Sequence, residues 1–321
     1  MNISESINHF LPEIEIFLPK NEVDYYGFSY YLSKNLNLKY NYSFSSWVHG
    51  WIFHELKHLE QFDIAQYSPL YKIVANTEQK KFLNDFNFHN VEVAGYPYIY
   101  IKNNPNINRF KNSLLIIPPH NTNELNHTWN EEKYIQSILH YKKSFELIYF
   151  CIHQVCFNQG RWIKNLQKYG INYIIGANIN DKNSLLRTKY IFQHFEFVQA
   201  PAIGSAIIYA AFDGCKVSLS QDYLDYKIDG YVNHPLYNKK KDYIDFLIYT
   251  KSRKYTENKF KFLFSEPDKS QKFEKWATEE LGTKYKKDLK LIPEILGWRY
   301  KDKVKLFSLK YINSIKRFYK E

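Results

Sequence analysis

Cysteine is scarce in this chain. Cys151, Cys156 and Cys215 are the only three in 321 residues, and no two stand in a CxxC pair. That excludes a disulfide framework and a paired-thiolate structural zinc site, so reduced thiols are the expectation. Long apolar runs are missing too: none approaches 18 residues, which leaves no pattern for a membrane-spanning helix. Residues 1–20 lack a basic stretch followed by an apolar core, so no secretory leader is expected. Neither internal repeats nor low-complexity linkers occur, and no Asp-x-Asp pair closes a candidate strand. The expectation from these absences is a soluble, cytoplasmic chain with ordinary α/β chemistry.

What is abundant is aromatic and basic. Hydrophobic residues make up 45% and aromatic ones 18%, which rules out a disordered polymer. The net charge is +11, and over half of that excess sits in residues 299–321, where eight Lys or Arg stand against Asp302 and Glu321. Val304, Phe307, Tyr311, Ile315 and Phe318 recur there at three- and four-residue steps, the spacing of an amphipathic helix. Such a helix suits an anionic membrane surface, which makes the protein peripheral on the inner face of the membrane. The same stripe also suits a terminal helix docked on the chain's own body. No RNP, zinc-finger or helix-turn-helix pattern accompanies the charge, so nucleic acid is not an expected partner.

Strand-like and helix-like segments alternate, which predicts an α/β protein with parallel sheets. Expected strands at 44–48, 71–75 and 91–94 form a first unit, with a helix after Gly50 and another capped by Thr77. The polar run 103–109 marks a junction. A second unit restarts with strands at 114–117, 146–152, 172–175, 195–199 and 216–219, separated by helices. From about residue 226 the alternation gives way to helices and loops that wrap back over both halves. The division is therefore 1–108, 109–225 and 226–321.

Residues 195–219 carry the sharpest local signal. A strand, a turn closing on Gly204-Ser205, a small-residue helix from Ala206 and another strand form a phosphate-cradle layout, with Gly204 permitting a tight turn and Ser205 capping the helix. An ordinary strand–turn–helix without a ligand has the same layout. Three other expected strands end in His120, His153 and Gly176. Ligands of doubly wound sheets gather at the carboxyl ends of the strands, so these residues and Gly204-Ser205 belong in one crevice.

A competing motif is His54-Glu55-Leu56-Lys57-His58. On a helix HExxH puts two imidazoles on one face with a glutamate as base, and Glu78, 20 residues beyond His58, offers a third zinc ligand. Lys57 sets a cation between the ligands, and nothing else in the chain reads as a protease. The bland reading places His54 and His58 on a helix face near the cleft.

The blocks SLLIIPPH, CIHQVCF, YGINYIIGANIND, SLLRTKYIFQHFEFVQAPAIGSAIIYAAFDGCKVSL, WATEELG and ILGW resemble glycosyltransferases of bacterial capsule and O-antigen assembly, a resemblance that extends over about residues 47–298. The resemblance implies a GT-B architecture of two Rossmann-like domains, with the nucleotide sugar on the second and a glycan or glycolipid acceptor on the first. It implies that Gly204 and Ser205 meet the donor phosphates and that His120, His153 and Arg187 line the cleft. His234-Pro235 follows the Gly-Ser turn, an order that departs from sialyltransferase-like enzymes. Glycosyl transfer needs a base for the acceptor hydroxyl and positive partners for the departing phosphate. His49, ending a strand before Gly50 and facing the second domain, is the candidate base. Arg187 can offset phosphate charge, and without an Asp-x-Asp grip no metal cofactor is expected. A zinc hydrolase and a non-catalytic nucleotide- or glycan-binding scaffold are the alternatives.

Overall fold

Two parallel sheets divide the protein. The computed structural model describes residues 3–62, 70–122, 124–299 and 304. The first sheet pairs β1 (Ser46–Trp47), β2 (Lys72–Val74) and β3 (Val91–Val93) in that order, all parallel. Around it lie α1 (Ile3–Phe10), α2 (Phe28–Asn35) and α3 (Thr77–Asp85). The second holds β4 (Phe110–Ile116), β5 (Leu147–Ile152), β6 (Asn172–Ile175), β7 (Phe195–Ala200), β8 (Lys216–Leu219) and β9 (Gln271–Lys272). Its order is β6-β5-β4-β7-β8-β9, with only β9 antiparallel. Strands covered on both faces must be apolar throughout, and Leu114, Leu115, Ile116, Phe150, Ile152, Val198 and Val217 are all buried.

The helices of the second unit are α4 (Glu131–Ile138), α5 (Gln154–Asn158), α6 (Ile163–Lys168), α7 (Ser184–His194) and α8 (Ser205–Phe212). Beyond it come α9 (Lys241–Thr250), α10 (Arg253–Phe260), α11 (Glu274–Glu280) and α12 (Ile292–Ile295). Chain direction reverses its lateral march between β4 and β7, the topological switch point at which such sheets leave a crevice.

Two local expectations are corrected. Thr77 is not the cap of α3: Asn76 is, its side chain accepting from the Gln79 N–H at 2.9 Å. No helix follows Gly50 either; residues 51–58 are irregular and lead into a 3₁₀ turn at Leu59–Phe62.

The units share a core. Trp47, Ile73 and Tyr96 of the first belong to the same apolar cluster as Leu115, Val198 and Ile207 of the second. At the seam Tyr98 stacks on Tyr209, 4.0 Å between centroids and 5° from parallel. Tyr98 also donates its hydroxyl proton to Asp213, which pairs with Lys189 in a buried group. The C-terminal segment wraps back as expected. The Phe44 N–H reaches the Leu296 carbonyl at 2.9 Å, the Tyr96 N–H reaches that of Leu281 at 3.0 Å, and the Trp298 indole donates to Ser43 at 2.8 Å. No helix among the described residues is long and apolar enough to cross a membrane.

Candidate functional site

The loop after β7 passes through Ile203 and Gly204 into α8. Gly204 is extended (φ 179°), a conformation open to any residue, so the tight turn expected there is absent. What its missing side chain provides is room: a Cβ would meet nothing within 4 Å. Ser205 does not cap α8 either. Its hydroxyl accepts the Trp51 N–H of the first unit at 3.0 Å and ties the units together. Among the described residues no acceptor meets the backbone N–H groups of Ser205 and Ala206. These free donors and the positive end of the helix dipole favour an anion.

His120 and His153 follow β4 and β5, and their rings stack at 4.4 Å and 12°. Burial first, and then the charge of Lys251, hold the His120 imidazole down at about 4. Burial, and then His120 itself, keep His153 well below the usual histidine range. Both rings are therefore neutral near pH 7 and act as hydrogen-bonding groups. His153 Nδ1 accepts the Val155 N–H at 3.2 Å, which puts the ring proton on Nε2.

Lys251 was not singled out from the sequence. The Tyr223 hydroxyl holds it in place, meeting the Lys251 carbonyl and the Ile203 N–H at 3.0 Å each. Its ammonium lies 4.6 Å from the Tyr226 ring, and after burial its charge is the next cause that holds His54, His120 and His127 down at about 4. The loop beyond His120 is built on buried Asn121, whose amide oxygen accepts the His127 N–H at 2.8 Å.

His49 follows β1 where the chain meets the second unit. Its carbonyl accepts the Tyr209 hydroxyl at 2.9 Å, and Trp51, two residues on, is the partner of Ser205. The main chain thus runs beside α8, while the imidazole lies against Tyr25 and Tyr26, with ring centroids at 5.0 and 5.6 Å. Its Nδ1 is 3.7 Å from Oε1 of buried Glu22, a residue that sequence reasoning missed.

Two expected members do other work. Arg187 is buried, its Nε on the Ile175 carbonyl (2.8 Å) and its Nη1 on the Pro12 carbonyl (2.6 Å), so it straps the N-terminal segment to the second sheet. Gly176 follows edge strand β6, where a Cβ would press on Cys151 Sγ at 2.5 Å; packing explains it.

The HExxH segment does not form a metal grip. Residues 54–58 are not helical, and the His54 and His58 rings each lie against Phe246, at 5.2 and 4.9 Å. His54 Nδ1 is engaged by the Gln61 amide at 2.6 Å, and the same side chain accepts the N–H groups of Lys57 and His58. Glu78 is exposed on α3. Among the described residues no three His, Cys, Asp or Glu side chains converge to hold a metal ion. The residues do not fit the zinc that the motif implied.

No protein-family model matches the sequence, and no curated protein matches it. Solved structures do. TarM is 15% identical over 80% of this chain and 50% of its own, with a TM-score of 0.33. An S. aureus TarM variant in complex with fondaparinux, alpha-GlcNAc-glycerol and UDP is 14% identical over 82% and 52%, with a TM-score of 0.34. The pneumococcal O-GlcNAc transferase GtfA in complex with UDP and GlcNAc is 12% identical over 82% and 52%, with a TM-score of 0.32. The chain spans about half the length of these structures. Superpositions this partial carry no argument about its chemistry, which rests on its own side chains.

Proposed function

We propose that the protein is a glycosyltransferase that moves a sugar from a nucleotide-sugar donor to a glycan or glycolipid acceptor in surface-polysaccharide assembly. The observation that carries this reading is one juxtaposition. At the switch point the N-terminus of α8 is open, the Tyr223 hydroxyl ties the loop before it to the main chain of Lys251, and the segment His49–Trp51 of the other unit is bonded to the same helix through Ser205 and Tyr209. In the reaction the acceptor oxygen forms a bond to the sugar's anomeric carbon while His49 takes the hydroxyl proton. The bond from that carbon to the nucleotide's phosphate oxygen breaks. The departing phosphate's charge falls to the N–H groups of Ser205 and Ala206 and to Lys251. His120 and His153, being neutral, orient the donor by hydrogen bonds without competing for the proton.

Because backbone donors and a lysine offset the charge, transfer is expected to survive EDTA. The test is a thermal-shift screen against CMP, UDP, GDP and their sugars, since a ligand that binds only the folded chain raises its melting temperature. Stabilisation by one nucleotide, abolished in Gly204→Val while the fold persists, is the expected result. An unshifted melting temperature with every nucleotide overturns the reading.

A further inference from the structure

Beneath His49 lies a buried ion pair for which the proposed reaction has no stated use. Glu22, in a 3₁₀ turn at Glu22–Gly27, and Lys72, in β2, are both almost fully buried. The Lys72 ammonium donates to Glu22 Oε2 and, at 2.8 Å, to the Phe62 carbonyl. The second carboxylate oxygen, Oε1, points to His49 Nδ1 at 3.7 Å. Burying a lysine–glutamate pair gains little stability over apolar packing, so its presence invites another explanation.

We infer that Glu22 is a positioning residue for His49, and that Lys72 sets how strongly it acts. This rests on the proposed role of His49. A carboxylate at Nδ1 selects the tautomer that carries its proton there, so Nε2 becomes the ring's basic nitrogen. When His49 takes the acceptor's proton, the new imidazolium lies next to an anion. A gap of 3.7 Å in the unliganded protein closes by a small ring movement, as acid–base contacts tighten in a reacting complex. Left alone, a buried carboxylate would hold His49 protonated and useless as a base. Lys72 offsets that by neutralising the other oxygen.

Among the described residues, titratable groups face His49 from both units. From its own unit they are Glu22, Tyr25 and Tyr26, with Lys72 behind Glu22; from α8 it is Tyr209, through its hydroxyl to the His49 carbonyl. Glu22 places its carboxylate at Nδ1 itself, so its removal should move the titration.

The experiment is NMR titration of the full chain labelled with ¹⁵N-histidine, with His49→Gln identifying the signal by its loss. The wild type should show the Nδ1-protonated tautomer at high pH. In Glu22→Gln the His49 midpoint should fall by about one pH unit or more, and in Lys72→Met it should rise. Circular dichroism checks that each variant folds; Glu22→Gln, which is isosteric, decides the matter if Lys72→Met does not. A His49 midpoint unchanged in folded Glu22→Gln overturns the inference and leaves the pair a purely structural clamp. Failure of the glycosyltransferase reading is seen separately: the titration would behave as stated while no nucleotide raised the melting temperature.

Discussion

A methyl group at Gly27 would lie 1.8 Å from the Lys182 carbonyl oxygen, and the backbone there has φ +79°. Both the contact and the left-handed conformation exclude a side chain, because residues 179–182 of the second unit press on this turn. Gly27→Ala should therefore lose at least ~2 kcal/mol in urea unfolding; a loss within experimental error would show that the turn can move. The stacked imidazoles make a second claim. An ordinary histidine titrates near 6.5, whereas folded His120 is held at about 4 by burial and then by Lys251. Between those values the unfolded chain binds a proton that the folded one refuses, so stability rises with pH. The contribution is neutral above pH 6.5 and turns against the fold as pH falls from 6.5 toward 4. His120→Gln should flatten the fall in melting temperature across that window, and an equally steep profile would contradict the assignment. At this scale the sequence was partly legible: His49, His120, His153 and Gly204 stand out because each lies just beyond the carboxyl end of a strand. Glu22 and Lys251 do not, since each reaches the site through packing of elements remote in sequence.

Among the elements, α8 does the most. Its small residues let it lie between β7 and the first unit, while its first turn meets Trp51 and its last ends in Asp213, bound by Tyr98 and Lys189. Ser205→Ala leaves the Trp51 N–H without its acceptor at the seam, and a loss of about 1–3 kcal/mol is expected by chemical denaturation. A neutral substitution would mean the units do not lean on that bond. The parallel strands of the second sheet were readable because strands buried on both faces must be continuous apolar runs, although β4 starts earlier than expected, at Phe110, and the exposed antiparallel β9 has no such run and was missed. HExxH misled for the opposite reason. Its spacing has meaning only on a helix, and Gln61 folds back to collect the N–H groups of Lys57 and His58, fixing an irregular loop instead. Nothing in residues 54–58 themselves announces the glutamine three residues later.

At the scale of the whole molecule, the chain is closed by its own C-terminal segment. Residues 274–298 return to the first unit through Glu280 on the Trp51 indole, the Leu281 carbonyl on Tyr96, and Trp298 on Ser43. Trp298 is buried, and the proposed interfacial helix over 299–321 lies outside the described residues apart from Arg299 and Val304. That contrast separates two roles. A chain ending at Trp298 keeps every contact named above, so it should fold and retain nucleotide-dependent stabilisation. If the basic, aromatic tail serves an anionic membrane surface, its cations add about 1 kcal/mol each near the lipid, and the stripe adds apolar burial. Charge alone would be screened at physiological salt. The intact protein should then co-sediment with phosphatidylserine-containing vesicles in a salt-sensitive manner, and the chain ending at Trp298 should do so far less. Truncation that unfolds the protein, with no vesicle binding by the intact chain, would show instead that the stripe at 299–321 is core packing.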